Sequence, residues 1–221
     1  MPAVPAGFRY LPGYLDAAAQ AALAAELREL AGAAPLYRPT MPKSGRPFSV
    51  RMTNAGSHGW FSDREGYRYT ARHPETAAPW PAIPTALLDL WRDVADYPAA
   101  PQCCLINYYI ADARMGLHQD SDEETFAAPV VSLSLGDSAV FRIGGPQRRG
   151  PTTSQRLHSG DVMILSGAAR LAYHGIDRVL GGSSRLLESQ GWAQVTGEEG
   201  GRLNVTLRRV TRPAGEVAEQ D

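Results

Sequence analysis

The second half of the sequence predicts a mainly β fold, a sandwich or a barrel, with helices flanking it. After residue 101, short apolar runs rich in β-branched and aromatic residues recur at close spacing, and turn residues such as Gly144-Gly145 separate them. Two stretches before that point have the apolar spacing of helices. With 221 residues the chain is long enough for one sizeable core, so we expect a single domain over residues 1–210.

Composition and charge exclude several classes of protein. Hydrophobic residues make up 43% of the chain, and no apolar run is long enough to span a bilayer. A net charge of −1 gives no overall basic field, although arginines cluster locally, as at Arg148-Arg149. Cys103 and Cys104 are adjacent, so they cannot form a normal structural disulfide. The first residues lack the basic start and apolar run of a signal peptide, and we expect a cytoplasmic monomer with no membrane partner.

Two helices are predicted in the first half. Asp16 is a suitable N-cap for a helix that ends near Leu30, and Gly32 stands where a left-handed residue often follows a helix. A second helix is predicted over residues 85–95. Residues 39–82, between the helices, are rich in prolines and aromatic residues and lack helical periodicity, although residues 48–52 alternate like a strand. Such a segment more often covers another part of the molecule than forms a core of its own.

The strands of the second half are predicted from alternation and turn signals over residues 103–110, 130–135, 139–143, 154–157, 162–165, 170–173 and 203–210. We prefer a double-stranded β-helix (jelly roll) over residues 101–210, because this fold places strand ends around an open mouth suited to a metal. The pattern alone does not exclude other sandwiches. Residues 180–201 predict a long loop and residues 211–221 a disordered tail.

The stretch His118-Gln119-Asp120 places a histidine and a carboxylate two positions apart. In an extended segment these two side chains point to the same face, so their ligand atoms converge. With a distant histidine they would form a 2-His-1-carboxylate triad, the ligand set that holds non-heme Fe(II). His174 is a suitable third member. By itself, the motif is a weak signal, and a surface turn that contains a hydrogen-bonded histidine would explain it as well.

The last predicted strand has one apolar and one polar face. Arg202, Asn204, Thr206 and Arg208 alternate with apolar residues. An edge strand with one wet face would explain this pattern. If the polar face instead points into the protein, its arginines require an anion, because buried arginines are rare unless paired. A guanidinium binds carboxylate bidentately, so a diacid co-substrate would satisfy them.

Taken together, these motifs resemble the AlkB family of Fe(II)- and 2-oxoglutarate-dependent dioxygenases. The family pattern is H-x-D, a long gap, H, and then R-x-N-x-T-x-R, which this chain matches from His118 to Arg208. Further segments of the chain also resemble the family: Leu105-Ile106-Asn107-Tyr108-Tyr109, Val131-Ser132-Leu133-Ser134-Leu135-Gly136, Tyr173-His174-Gly175, Met52-Thr53-Asn54, His58-Gly59-Trp60 and Gly66-Tyr67-x-Tyr69. The resemblance covers about residues 48–210 and implies a jelly roll with an N-terminal nucleotide-recognition lid at about residues 39–82.

The resemblance also implies roles for individual residues. The Fe(II) ligands would be His118, Asp120 and His174. The co-substrate 2-oxoglutarate would be held by Asn107, Tyr109, Arg202, Asn204 and Arg208. Of these, Arg208 would pair with the distal carboxylate. The nucleotide pocket would be lined by Met52, Trp60, Tyr67, Tyr69, Asp122 and Arg148.

The implied reaction is oxidative demethylation of N1-methyladenine and N3-methylcytosine in single- or double-stranded DNA, or in RNA, with O₂ as oxidant. Its products would be formaldehyde, succinate and CO₂. Both lesions are cationic, so Asp122 would attract them, while Trp60 and His118 would sandwich the extruded base. Arg148 would contact a base edge or a phosphate. The neighbouring Glu123-Glu124 is interpreted as solvated charge.

Two alternatives remain at this point. The same oxygenase chemistry could act on RNA, a protein side chain or a lipid. Alternatively, the chain could be a non-catalytic jelly-roll binding module, in which the polar strand is merely wet. Such a module would be expected to lose a metal ligand or Arg208, and this sequence keeps all of them. The loop at residues 180–201 is longer than expected for bacterial AlkB, and the preference for single or double strands is open.

Overall fold

The computed structural model describes residues 4–110 and 112–214, which form twelve strands and four α-helices. In chain order these are β1 (Phe8–Leu11), α1 (Ala17–Ala33), β2 (Arg51–Gly56), β3 (Gly59–Asp63), β4 (Gly66–Thr70), α2 (Thr85–Val94), β5 (Cys103–Tyr109), β6 (Met115–His118), β7 (Val130–Gly136), β8 (Ser138–Ile143), β9 (Thr153–Leu157), β10 (Val162–Leu165), β11 (His174–Leu180), α3 (Leu186–Ser189), α4 (Ala193–Thr196) and β12 (Arg202–Arg208). A short 3₁₀ helix, Gly167–Ala169, precedes β11.

The strands form two main antiparallel sheets and one hairpin. The major sheet has the order β1-β10-β7-β12-β5-β2, and the minor sheet has the order β6-β11-β8-β9. The β3–β4 hairpin is a separate two-stranded unit. The crossovers between distant strands and the two-sheet arrangement confirm the predicted jelly-roll class.

Two apolar clusters divide the protein into three layers. One lies between the helices and the outer face of the major sheet, where Leu27 of α1 and Trp91 of α2 pack with Val205 of β12. The other lies between the two sheets, where Met163 of the major sheet packs with residues of the minor sheet such as Phe141. The helices therefore cover one face of the major sheet, and the space between the sheets remains for a site.

Helix α1 begins as the sequence predicts but ends later. The Asp16 carboxylate accepts a hydrogen bond from the Ala19 N–H at 2.8 Å, so Asp16 is the N-cap. The helix continues to Ala33 and includes Gly32, which was expected just beyond its end. Packing of buried residues such as Ala31 against the sheet stabilises the extra turn. Among the described residues, no helix is long and apolar enough to cross a membrane.

Strand β12 lies in the centre of the major sheet, between β7 and β5. Its apolar residues, including Leu203 and Val205, enter the helix-side cluster. Because side chains alternate along a strand, its polar residues point into the space between the sheets. Arg202 is 0% exposed there and Arg208 is 6% exposed. The edge-strand interpretation is therefore wrong, and the polar face is buried.

Several strand boundaries differ from the sequence prediction. The predicted strand at 170–173 is a turn after the 3₁₀ helix, and the strand begins at His174. The reason is that the Arg170 and Ala172 N–H groups donate to the carbonyls three residues before them, so this backbone forms turns and does not join a ladder. Strands β1, β3, β4 and β6 were not predicted, because they are short and lack a clean apolar alternation.

The segment 180–201 is more ordered than the predicted long loop. It contains α3 and α4, and Trp192 between them is 0% exposed. The Trp192 indole N–H donates to the Ala24 carbonyl at 2.9 Å, and its ring stacks on Tyr108 with centroids 6.3 Å apart. The segment is thus anchored to the helix-side core by one large side chain.

Replacing this anchor is expected to be costly. Trp192→Ala should lower the free energy of unfolding by about 3–5 kcal/mol, because it removes a fully buried aromatic side chain and leaves a cavity. Gln194→Ala, at an exposed neighbouring position, should stay within about 0.5 kcal/mol of wild type. Urea denaturation followed by circular dichroism measures both. Equal stability of the two variants would contradict anchoring by Trp192.

The predicted disordered tail, residues 211–221, is described only to residue 214. Within that part, the Thr211 N–H donates to the Gln102 side-chain carbonyl at 2.8 Å, and Arg212 donates to the Glu124 carbonyl at 2.9 Å. The start of the tail is therefore held by hydrogen bonds to the rest of the domain. Residues 215–221 lie outside the described residues, and disorder there stays a prediction.

Candidate active site

A cavity of about 400 Å³ opens between the two sheets, beside the β3–β4 hairpin. It is lined by the following predicted site residues: Met52, Trp60, Tyr67, Asn107, Tyr109, His118, Asp120, Asp122, Arg148, His174, Asn204 and Arg208. Of the fourteen predicted side chains, only Tyr69 and Arg202 do not line it. Residues far apart in sequence thus converge on one cavity.

The three predicted metal ligands meet at one point of the cavity wall. Strand β6 ends at His118, and β11, its antiparallel partner, begins with His174 directly opposite. The His118 Nε2 and the His174 Nε2 each lie 3.7 Å from an Asp120 carboxylate oxygen. All three ligand atoms are within 4.8 Å of one another. Strand pairing therefore brings the distant histidine to the His-x-Asp motif.

Both imidazoles are held with the same nitrogen facing Asp120. The His118 Nδ1 is 2.9 Å from the Gly116 carbonyl, and the His174 Nδ1 is 2.9 Å from the Ala172 carbonyl. A carbonyl oxygen only accepts, so each Nδ1 carries the proton and each Nε2 keeps a free lone pair. Burial and the neighbouring His118 lower the pKa of His174 to about 4, so it is neutral at pH 7.

Asp120 completes the donor set as a carboxylate. Burial would raise the pKa of Asp120, but the positive charge of Arg208, whose Nη2 lies 2.7 Å from Oδ1, outweighs burial and lowers it. Two imidazoles and one carboxylate whose ligand atoms lie within 4.8 Å of one another match the facial donor set of non-heme Fe(II). By its donor chemistry the site therefore fits that metal.

The polar face of β12 lies next to this donor set. The Asn204 amide donates to the Ser132 hydroxyl at 2.6 Å, and the Asn107 Oδ1, on the neighbouring strand, is buried without a hydrogen-bond partner. Both side chains line the cavity. A buried acceptor without a partner carries a cost of about 1–3 kcal/mol, which a bound ligand or water would relieve.

Arg202 lies deeper than the cavity wall and has only neutral partners. Its guanidinium donates to the Ser134 hydroxyl at 2.7 Å and to the Asp137 carbonyl at 3.2 Å, while its Nε has no partner. Within the described residues, no acidic side chain lies within 4.0 Å of it. Burial lowers the pKa of Arg202 to about 10, which shows that its charge is poorly compensated. Such a group favours binding of an anion.

Another part of the cavity wall is aromatic. The rings of Trp60 and Tyr67 stack with centroids 5.6 Å apart, and the Trp60 indole N–H donates to the Asp122 carboxylate at 2.8 Å. Tyr67 is 50% exposed, so the outer end of this wall is open to solvent. Arg148 is exposed in the β8–β9 loop at the cavity mouth. The wall combines flat apolar surface with one carboxylate.

Two residues lie behind the site, where the sequence interpretation did not place them. Glu123 was interpreted as solvated charge, but its side chain is 0% exposed and pairs with Arg170 at 3.0 Å. Tyr69, predicted in the pocket, instead donates its hydroxyl to Glu123 at 2.5 Å. The interpretation is wrong for Glu123 and right for Glu124, which is exposed. No sequence signal separates these adjacent glutamates.

Comparison with known proteins gives a consistent result. The model of the 2OG-Fe(II) oxygenase superfamily matches residues 7–208. A Caulobacter vibrioides protein named alpha-ketoglutarate-dependent dioxygenase AlkB homolog is 53% identical over 205 residues, or 92% of this chain and 87% of that protein. Alpha-ketoglutarate-dependent dioxygenase AlkB of Escherichia coli is 40% identical over 161 residues, or 71% of this chain and 74% of that protein.

The fold also matches that of a solved structure. The structure titled OsALKBH1 superimposes with a TM-score of 0.77 and 27% identity, covering 95% of this chain and 99% of that one. The match extends over nearly all of both chains, so it includes the two sheets and the elements that cover them.

Proposed function

Because the chain belongs to the AlkB family of 2OG-Fe(II) oxygenases and is therefore a 2-oxoglutarate-dependent dioxygenase, we propose that it repairs N1-methyladenine and N3-methylcytosine in DNA by oxidative demethylation. The single observation that carries the substrate proposal is the aromatic wall of the cavity, where Trp60, Tyr67 and Asp122 combine aromatic surface with a carboxylate. A flat cationic base fits such a wall better than a lipid chain or a neutral side chain does.

The metal would be held by His118, Asp120 and His174. When bound, Fe(II) with 2-oxoglutarate and O₂ supplies the oxidising power, and the protein supplies geometry and exclusion of water. The carbonyls of Gly116 and Ala172 fix the two imidazoles by accepting their Nδ1 protons. The two imidazoles are thus oriented, with each Nε2 toward Asp120, before a metal binds, which lowers the free-energy cost of binding it.

The two arginines of β12 would bind opposite ends of 2-oxoglutarate. Arg208 is 2.7 Å from the metal ligand Asp120, which supports a place beside the metal-proximal carboxylate rather than the distal one given to it by the sequence interpretation. Arg202 is six residues away along the strand and has no acidic partner in the described part of the chain. We assign it the distal carboxylate, with Asn107, Tyr109 and Asn204 between the two ends.

The base would enter between Trp60 and the metal ligands. Trp60 is fixed from behind, because its N–H donates to Asn54 at 3.0 Å and its carbonyl accepts from Tyr37 at 2.6 Å. Met52, on the adjacent strand β2, forms part of the same wall. Asp122 would stabilise the positive charge of the methylated base, and Arg148 at the mouth would contact the nucleic acid backbone or a base edge.

The outcome of the reaction follows from which carbon is held near the metal. Oxidation of an N-methyl carbon gives an N-hydroxymethyl group, which releases formaldehyde and the unmodified base. The co-substrate leaves as succinate and CO₂. The rigid aromatic wall would present the methyl group to the metal side of the cavity, while apolar neighbours such as Phe141 and Met163 exclude water.

Oligonucleotides that differ only in backbone or lesion test the substrate proposal. Single-stranded DNA, double-stranded DNA and RNA, each with one N1-methyladenine, are incubated with the purified protein, Fe(II), 2-oxoglutarate and O₂. Mass spectrometry should record loss of one methyl group from DNA. Demethylation of RNA alone would assign the oxygenase to RNA, and succinate formation without demethylation of any strand would contradict the proposed substrate.

Asp122→Asn is expected to reduce discrimination in favour of a cationic base. Two opposite unit charges about 4 Å apart attract each other by roughly 1 kcal/mol in bulk water and by roughly 4 kcal/mol near a protein surface. Losing this attraction should lower kcat/KM for N1-methyladenine about tenfold or more. The amide still accepts from the Trp60 indole, so the wall keeps its position. Uncoupled succinate formation without oligonucleotide should stay unchanged. An equal loss in both assays would indicate a damaged metal centre instead.

A further inference from the structure

Behind the metal ligands, four charged side chains form a buried cluster. Its members are Asp120, Glu123, Arg170 and Arg208, and each side chain is at most 7% exposed. The Arg208 guanidinium pairs with both carboxylates: its Nη2 lies 2.7 Å from the Asp120 Oδ1, and its Nη1 lies 3.4 Å from the Glu123 Oε1. With two positive and two negative charges the cluster is neutral. Buried charges of this kind are stable only when each is paired.

Arg170 ties the cluster to both segments that carry metal ligands. Its Nη1 donates to the backbone carbonyl of Asp120 at 2.6 Å, its Nε donates to Ala128 at 3.0 Å, and its Nη2 pairs with Glu123. Arg170 itself lies four residues before His174. One guanidinium therefore joins the Asp120 loop to the turn that leads into β11.

Glu123 also connects this cluster to the β3–β4 hairpin. Tyr69 of β4 donates its hydroxyl to the Glu123 carboxylate, and Arg208 lies 3.3 Å from the same hydroxyl. Tyr69 is the direct cross-strand partner of Trp60, which in turn bonds to Asp122. The hairpin that carries the aromatic wall is thus attached to the loop after Asp120 at two adjacent positions.

We propose that Glu123 is a positioning residue, whose buried carboxylate keeps Arg208 from pairing solely with the metal ligand Asp120 and fixes the aromatic wall relative to the metal centre through Tyr69. The inference rests on the proposed metal and substrate roles of the same cavity. Glu123 does not line that cavity, so it acts through Arg208 and Tyr69 and not by touching substrate.

Removing the negative charge of Glu123 should affect the affinity for a metal cation and the affinity for 2-oxoglutarate differently. Without it, the remaining cluster carries two arginines and one carboxylate, a net charge of +1. A more positive surrounding weakens the binding of a divalent metal and does not weaken the binding of dianionic 2-oxoglutarate. General damage to the site would weaken both.

Glu123→Gln keeps the size of the side chain and removes the charge. Titration of the apoprotein with Mn(II), followed by electron paramagnetic resonance, should show metal affinity lowered roughly 10–100-fold, the usual cost of losing an outer-shell partner. In the Mn(II)-saturated variant, calorimetry should give an affinity for 2-oxoglutarate equal to or tighter than wild type. Glu124→Gln, at the exposed neighbouring position, is the matched control and should change neither.

Two further variants separate charge from attachment of the hairpin. Glu123→Asp keeps the charge and should restore Mn(II) affinity to within about threefold of wild type, scaled against the same outer-shell range. Tyr69→Phe keeps all four charges and should leave Mn(II) affinity unchanged while raising KM for the methylated oligonucleotide.

The proposal is overturned if Glu123→Gln binds Mn(II) as wild type does, or if it loses metal and 2-oxoglutarate affinity together. It is also overturned if Glu123→Asp fails to restore metal affinity while its thermal unfolding matches wild type. Failure of the wild-type protein to bind Mn(II) is a different result, because it contradicts the proposed metal site itself.

Discussion

His174→Ala and Asp120→Ala are each expected to abolish metal binding and turnover. Each removes one of three ligands whose donor atoms lie within 4.8 Å of one another. The loss of Mn(II) affinity should exceed the roughly 10–100-fold cost of losing an outer-shell partner, because a direct metal bond is lost. Succinate formation should fall below detection in the same preparations.

Asp120→Ala should also lower the free energy of unfolding of the metal-free protein. Arg208 would lose its closest carboxylate, at 2.7 Å, and the buried cluster would gain an unpaired positive charge.

His158→Ala is the matched control for His174→Ala, because His158 is exposed in the turn before β10. Normal metal affinity in His174→Ala, or its loss in His158→Ala, would contradict the assigned ligand set.

Arg202→Met is expected to raise the Kd for 2-oxoglutarate strongly. Truncating one partner of a buried charge pair costs about 2–5 kcal/mol, and at 1.4 kcal/mol per tenfold this is roughly 30-fold or more. Methionine fills much of the same volume, so the surrounding strands should keep their positions. Calorimetric titration of the Mn(II)-saturated variant with 2-oxoglutarate measures the effect, and Mn(II) affinity itself should be unchanged.

The same variant is expected to be as stable as wild type, or more stable, in the absence of ligand. Arg202 is a fully buried cation with neutral partners, and its pKa is lowered by burial, so its charge disfavours the folded state without an anion. Arg209 does not line the cavity, and its side chain bonds to the Thr211 carbonyl. Arg209→Met should therefore change both the free energy of unfolding and the 2-oxoglutarate affinity only slightly. Destabilised Arg202→Met with normal 2-oxoglutarate affinity would make Arg202 a structural arginine.

The metal centre could be predicted from sequence because its geometry is local. His118 and Asp120 are two positions apart, and strand geometry puts them on one face. The third ligand, His174, was a suitable candidate from the sequence and was supported by the family resemblance, and the pairing of β11 with β6 places it opposite His118. The choice of strand for residues 170–173 was wrong, yet it did not affect this ligand, which is the first residue of β11.

The order of charges along β12 was harder to predict. Alternation showed that Arg202 and Arg208 share a face, but it did not show which end of the strand lies beside the metal. That end depends on the loop after β6, where Asp120 meets Arg208. Alternation also did not distinguish an edge strand from a central one, because the neighbours β7 and β5 are distant in sequence.

Glu123 shows where sequence reasoning ends in this protein. Glu123 and Glu124 are identical in type and adjacent, but one is fully buried and the other exposed. Their difference arises from tertiary contacts with Tyr69, Arg170 and Arg208, which come from three other parts of the chain. Likewise, the family resemblance placed Tyr69 in the pocket with Tyr67, and the two residues share a face of β4, but the Tyr69 hydroxyl bonds to Glu123 and Arg208 behind the cavity.

The most direct test of the proposed function is the stoichiometry of one reaction. Purified protein, Fe(II), 2-oxoglutarate and O₂ are mixed with single-stranded DNA that carries one N1-methyladenine, and succinate, formaldehyde and repaired DNA are quantified together by mass spectrometry. Oxidative demethylation in this cavity predicts equal amounts of formaldehyde and repaired DNA, matched by succinate formed above the DNA-free background. Succinate that does not increase with the methylated strand, with no formaldehyde released, would contradict it.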